Sequence, residues 1–191
     1  MPNTINQIGL YLTNVVFGLA ILLLLLRFML GIARANFYNP LSQIIVKITD
    51  PLVLPLRKIV PPIGRFDTAL ILLVIILKVV HLFLKSKMVG LSVPALMLFS
   101  SAIGMLLDTV LVIYFAAIII MVVFSWLSLA GARMPGDLAG VLHSLTGPIL
   151  QPIRRVMPNL GGIDLSPMIA IVGIGVLRIA IRPLYQALAG L

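Results

Sequence analysis

The sequence predicts an all-α membrane protein: four transmembrane helices arranged as two parallel repeats, each carrying a cytoplasmic amphipathic helical segment. Three observations predict it. The mean hydropathy is +1.21, and 10% of the 191 residues are charged, where soluble domains average about a quarter. Four apolar stretches approach or exceed the roughly 20 residues that a spanning helix needs. A nineteen-residue segment, 49–67, recurs at 146–164, an offset of 97 residues. Both copies keep three prolines, a basic pair, a glycine and an aspartate in register. Pro51, Pro55, Arg57-Lys58, Pro61, Gly64 and Asp67 match Pro148, Pro152, Arg154-Arg155, Pro158, Gly161 and Asp164.

The spans follow in order. Ile8–Ile32 is the first, interrupted only by Arg27. It reads as a span rather than a cleavable signal, because it lacks a basic leader and is too long for a signal's apolar core. Thr68–Leu84, containing Lys78, is the second. Met88–Ala130 is 43 residues long with one charge, Asp108, and Ser166–Leu188 carries Arg178 and Arg182. The offset divides the long third stretch, since Ile8–Ile32 plus 97 gives Met105–Leu129. The chain then falls into a first repeat (1–86), an apolar connector (87–104) marked by Gly90, Pro94 and Gly104, and a second repeat (105–191).

Orientation comes from charge. The chain has 14 Lys and Arg against 5 Asp and no Glu, and in a membrane protein such an excess marks cytoplasmic loops and anionic headgroups rather than nucleic acid. With four spans, Arg34, Lys47, Arg57, Lys58 and Arg65 fall on the same side as Arg133, Arg154 and Arg155. Five spans would separate these loops, against the positive-inside rule. Both loops are therefore placed in the cytoplasm and both termini outside. The halves are then related by an axis along the membrane normal.

The loops themselves have structure. Asn39-Pro40 is a cap followed by proline at the first helical position. Leu41, Ile44, Ile45, Ile48 and Leu52 follow at helical spacing, and Leu138, Val141, Leu142, Leu145 and Ile149 repeat them. These segments are expected to lie in the membrane interface. Pro51 and Pro148 should start a second short segment. Pro55 and Pro152 should interrupt a straight helix, and Pro61 and Pro158 should end it. Gly64 and Gly161 permit the turn back, and Asp67 and Asp164 are placed to cap the next span.

These motifs resemble the YggT family (also called YlmG) of bacterial and plastid membrane proteins. The carrying residues are Arg34-Ala35-Asn36-Phe37-Tyr38-Asn39-Pro40-Leu41-Ser42-Gln43 and Thr49 to Pro61, then Pro148 to Arg155 and Gly161-Gly162-Ile163-Asp164-Leu165-Ser166-Pro167. The second half lacks a Phe-Tyr-Asn-Pro block. The resemblance implies a multi-pass protein of the bacterial inner membrane. It also implies roles that do not converge on one chemistry: tolerance of osmotic and envelope stress in bacteria, cytochrome haem assembly and nucleoid distribution in plastids, and proximity to cell-division genes in Gram-positive relatives.

Candidate sites fall into two sets. Arg57, Lys58, Arg154 and Arg155 offer docking to anionic headgroups or to a protein partner, each cation being worth roughly 1 kcal/mol near an anionic surface. Arg27, Lys78, Asp108 and Arg178 lie inside apolar runs, where a charge costs at least a few kcal/mol. Arg27 is near enough to its helix end to snorkel, and Lys78 and Arg178 read as able to snorkel outward. Asp108 is expected to meet Lys78, Arg178 or Arg182. His81 and His143 have no second ligand at metal spacing. No phosphate loop, nucleophile elbow or paired carboxylate appears, so neither enzyme chemistry nor a cofactor is expected.

Three functions compete at this level. The patterned cytoplasmic segments favour a scaffold or assembly factor with a protein partner or a second copy. The embedded charges and pseudo-symmetry point instead to an ion channel or transporter component, with potassium as the candidate ion. The basic interfacial modules also suit a protein that organises anionic lipid.

Overall fold

The computed structural model describes residues 4–64, 66–157 and 164–188. Its helices are α1 (Thr4–Ile32), α2 (Pro40–Arg57), α3 (Thr68–Met88), α4 (Ala95–Leu129), α5 (Gly136–Val156) and α6 (Ser166–Ile181), followed by 3-10 turns at Arg182–Leu184 and Gln186–Leu188. No strand occurs among the described residues beyond an isolated bridge, Ile63 to Phe66, which Gly64 closes with φ +60. Helices α1, α3 and α4, and the segment Ser166–Leu184, are long and apolar enough to cross a membrane. Arg65, Pro158 and Gly161 lie outside the described residues.

The third span differs from the expectation. It begins at Ala95 rather than near Met105, so much of the expected connector is helical. Gly90, at φ +79, ends α3 through Leu91 N donating to Ser86 O at 2.8 Å. Pro94 then occupies the N-cap position of the next helix. Gly104 does not break α4. A Cβ there would lie 2.9 Å from Leu184 Cβ and 3.0 Å from Tyr185 Cδ1, so glycine serves as the notch into which the C-terminal turns pack. At 1.5 Å per residue α4 is about 52 Å long, well beyond the roughly 30 Å of hydrocarbon. Its first part packs on α3 and the last turn in a cluster of Leu82, Leu98, Ala102 and Leu188.

The second difference concerns the prolines. Helix α2 runs unbroken through Pro51 and Pro55, and α5 through Pro148 and Pro152. All four prolines are exposed. In each helix they stand four residues apart, on one outward face. The carbonyls that lose their amide partners are those of Lys47 and Pro51, and of Ser144 and Pro148. On an outward face, water and headgroups can satisfy them, so the helix persists at a reduced cost.

Helix α2 turns most of its apolar stripe outward. Its protein-facing residues are Ser42, Ile45, Thr49 and Val53, while Ile44, Ile48 and Leu52 are 53%, 55% and 47% exposed. In α5 the inward set is Leu142, Leu145, Thr146 and Leu150. Leu145 joins the main core, with Leu24, Leu25 and Leu30 of α1 and Leu70 and Val74 of α3. Helix α5 therefore touches α1 and α2 as well as α4 and α6.

Candidate functional site

Charged side chains fasten α2 and α5 to the spans. Arg27 is 5% exposed yet fully engaged. Its Nη1 donates to Thr49 Oγ1 at 2.7 Å and to Val46 O at 3.2 Å, and its Nη2 pairs with Asp50 at 2.8 Å. Thr49 passes its own proton back to the Ile45 carbonyl at 2.7 Å. Arg27 thus does not snorkel to solvent, because α2 covers it and supplies the acceptors that desolvation demands.

The basic pairs divide their labour. Arg57 forms an ion pair with Asp67, Nε lying 3.0 Å from Oδ2, and Asp67 also accepts from Leu70 N at 3.2 Å to cap α3. Arg154 pairs with Asp164 at 2.8 Å, and Asp164 accepts from Ser166 N at 2.9 Å. Burial opposes the Asp164 charge, but the Ser166 hydrogen bonds and the Arg154 guanidinium outweigh it and hold its carboxyl below the usual range. Arg57 and Arg154 each commit one edge of the guanidinium to an ion pair within the chain, while Lys58 and Arg155 remain exposed.

The embedded charges separate in the same way. Arg178 grips Asp108 at two points, Nε to Oδ1 at 2.7 Å and Nη2 to Oδ2 at 3.2 Å. Of the three cations expected near Asp108, only Arg178 forms an ion pair with it among the described residues. Lys78 is the eleventh of the 21 residues of α3, at mid-helix, and has no ion-pair partner among the described residues. One turn on, His81 Nε2 lies 3.1 Å from Asn14 Oδ1, and its ring stacks on Phe17 at 5.2 Å.

A cavity of about 530 Å³ opens between α1, α2 and the 62–67 turn. Arg27, Lys47, Asp50, Arg57 and Asp67 line it, with Phe28 among its apolar contacts. At the starts of α2 and α5, Asn39 caps its own helix through Leu41 N at 2.9 Å and donates to Asp137 O of α5 at 2.7 Å. No group of three or more metal-ligating side chains occurs among the described residues.

The CCB3/YggT family model matches residues 6–88 and residues 100–185. The chain belongs to the CCB3/YggT family. It is 35% identical to the uncharacterized protein PA0392 of Pseudomonas aeruginosa over 98% of this chain and 94% of that one. It is 35% identical to the uncharacterized protein YggT of Escherichia coli K12 over 93% and 90%. A protein encoded in the proC 3' region of Vibrio alginolyticus is 38% identical over 86% and 88%. No solved structure matches.

In this YggT-family chain, sequence reasoning missed Asp50 and Thr49 as partners of Arg27. One signal was available: Asp50 is an acid beside a buried-face threonine in an otherwise basic loop, facing a span whose one charge is Arg27. The second half has Gly147 and Phe124 at the positions of Asp50 and Arg27. There Thr146 bonds to Leu142 O at 2.8 Å and meets Met121 Sδ.

Proposed function

We propose that this YggT-family protein is a non-enzymatic scaffold of the bacterial inner membrane. In this reading its two halves are parallel repeats, α2 and α5 lie together on the cytoplasmic side, and the termini lie outside. One observation carries the proposal. Three ion pairs, Arg27–Asp50, Arg57–Asp67 and Arg154–Asp164, fix α2 and α5 to the spans, while Lys58 and Arg155 stay exposed, with no ion-pair partner among the described residues. A fixed platform that presents unspent cations suits docking, since little ordering entropy remains to be lost on binding. The physiological setting, tolerance of osmotic and envelope stress, follows the family resemblance.

Exposed Ile44, Ile48 and Leu52 favour a second element of this reading, in which α2 rests its outer stripe on the headgroup layer. The transport reading is weaker, because the Asp108 charge is neutralised by Arg178 at two points. Photo-crosslinking residues at Lys58 and Arg155 in living cells test the scaffold. The expected result is a discrete protein adduct at both positions, weakened by charge reversal of Lys58 or Arg155. Adducts to lipid alone at both positions would contradict it.

A further inference from the structure

The cavity at Arg27 does not end at α2. It shares Phe28 and Leu70 with a second, wholly apolar groove of about 180 Å³ between α1, α3 and α4, whose walls include Leu25, Val74, Leu106, Leu107 and Val110. The charged chamber and the apolar slot therefore lie side by side, meeting at Phe28 and Leu70. With the proposed topology, that slot would face hydrocarbon and the chamber would sit at headgroup level.

Charge selects the occupant. Among the described residues the chamber holds three cations, Arg27, Lys47 and Arg57, against two carboxylates, Asp50 and Asp67. Arg27 is consumed by Thr49, Val46 and Asp50. Arg57 binds Asp67 through Nε and Nη2, which leaves Nη1 without a partner among the described residues. Lys47 is exposed, has no ion-pair partner among the described residues, and stands with Gln43 on the chamber wall. We propose that one anionic phospholipid binds here, with its headgroup phosphate against Lys47 and Arg57 and an acyl chain in the groove beyond Phe28 and Leu70. This site is distinct from the outward Lys58 and Arg155 of the scaffold reading, and it stands or falls independently of any protein partner.

Native mass spectrometry of the purified protein, titrated in detergent with phosphatidylglycerol or with phosphatidylcholine, tests the proposal. The expected result is one retained lipid with preference for phosphatidylglycerol. Lys47→Gln should weaken that retention about fivefold, the size expected for one surface cation. Leu107→Trp, which fills the groove from an exposed position, should weaken retention of both lipids, while Lys58→Gln should change neither. Equal retention of the two lipids would overturn the proposal, as would unchanged binding in Lys47→Gln or an equal loss in Lys58→Gln. Should Leu107→Trp fail to fold, the headgroup preference and the Lys47 variant still decide the matter.

Discussion

Arg27 and Asp50 share an ion pair but not a burial, and the difference predicts unequal costs. Arg27 is 5% exposed and Asp50 34%. Removing Asp50 strands a buried guanidinium, so Asp50→Asn should cost about 3–5 kcal/mol. Removing Arg27 leaves a carboxylate that water can still reach, so Arg27→Met should cost less, about 1–3 kcal/mol. Denaturant unfolding in detergent measures both, and equal or reversed costs would contradict the geometry. Arg34 offers a stability gain. It closes α1 at φ +53, with Ala35 N donating to Leu30 O at 2.9 Å, while Gly131 holds the matching place after α4 at φ +84, with Ala132 N donating to Leu127 O at 3.1 Å. A left-handed arginine costs about 1–2 kcal/mol, partly offset by glycine's greater freedom when unfolded. Arg34→Gly should therefore stabilise by roughly 0.5–1 kcal/mol, and Gly131→Ala should destabilise, both read from thermal melts. Asp164 supplies a pH dependence. Its folded pKa lies below the ordinary 3.8, so its contribution is complete above that value and is lost as pH falls through the folded pKa. Asp164→Asn should remove part of the fall in melting temperature expected as pH drops below about 4. An unchanged acid profile would mean that the Arg154–Asp164 contact is absent in solution.

At the scale of elements, the four apolar spans were plain in the sequence because length and hydropathy alone mark them. The start of α4 was not, because periodicity within an all-apolar run carries no contrast. Gly104 reads as a breaker until Leu184 and Tyr185 are seen against it. Gly104→Leu should force those turns away and cost about 1–3 kcal/mol by overpacking. A hydrogen-exchange comparison should show Arg182–Leu188 losing protection, and unchanged protection there would show that the turns do not dock on α4. The prolines of α2 and α5 misled for a related reason. Sequence shows the missing donor but not which face it lies on, and only an outward face makes the loss tolerable. Within the stripe of α2, tertiary contact alone decides that Ile45 rather than Ile44 turns inward. The capping role of Asn39 needed only local spacing, whereas Asp50 meeting Arg27 is a contact across 23 positions that no local pattern encodes.

For the molecule as a whole, α2 and α5, the helices proposed to lie together in the cytoplasm, meet at Asn39 and Asp137. Some positions 97 residues apart match in burial or pairing: Thr49 and Thr146 are buried, Val53 and Leu150 face inward, and Arg57 and Arg154 hold Asp67 and Asp164. The halves also diverge, since Leu145 enters the core while its counterpart Ile48 stays exposed. The chain has no cysteine, so single cysteines report sidedness without background. The most direct measurement places one at Lys58, Arg155, Asn6 or Ser92 and treats intact cells with a membrane-impermeant thiol reagent. Labelling is expected at Asn6 and Ser92, with Lys58 and Arg155 protected until the membrane is opened. Labelling of either Lys58 or Arg155 from outside would put α2 and α5 on opposite or external faces and contradict the shared cytoplasmic platform.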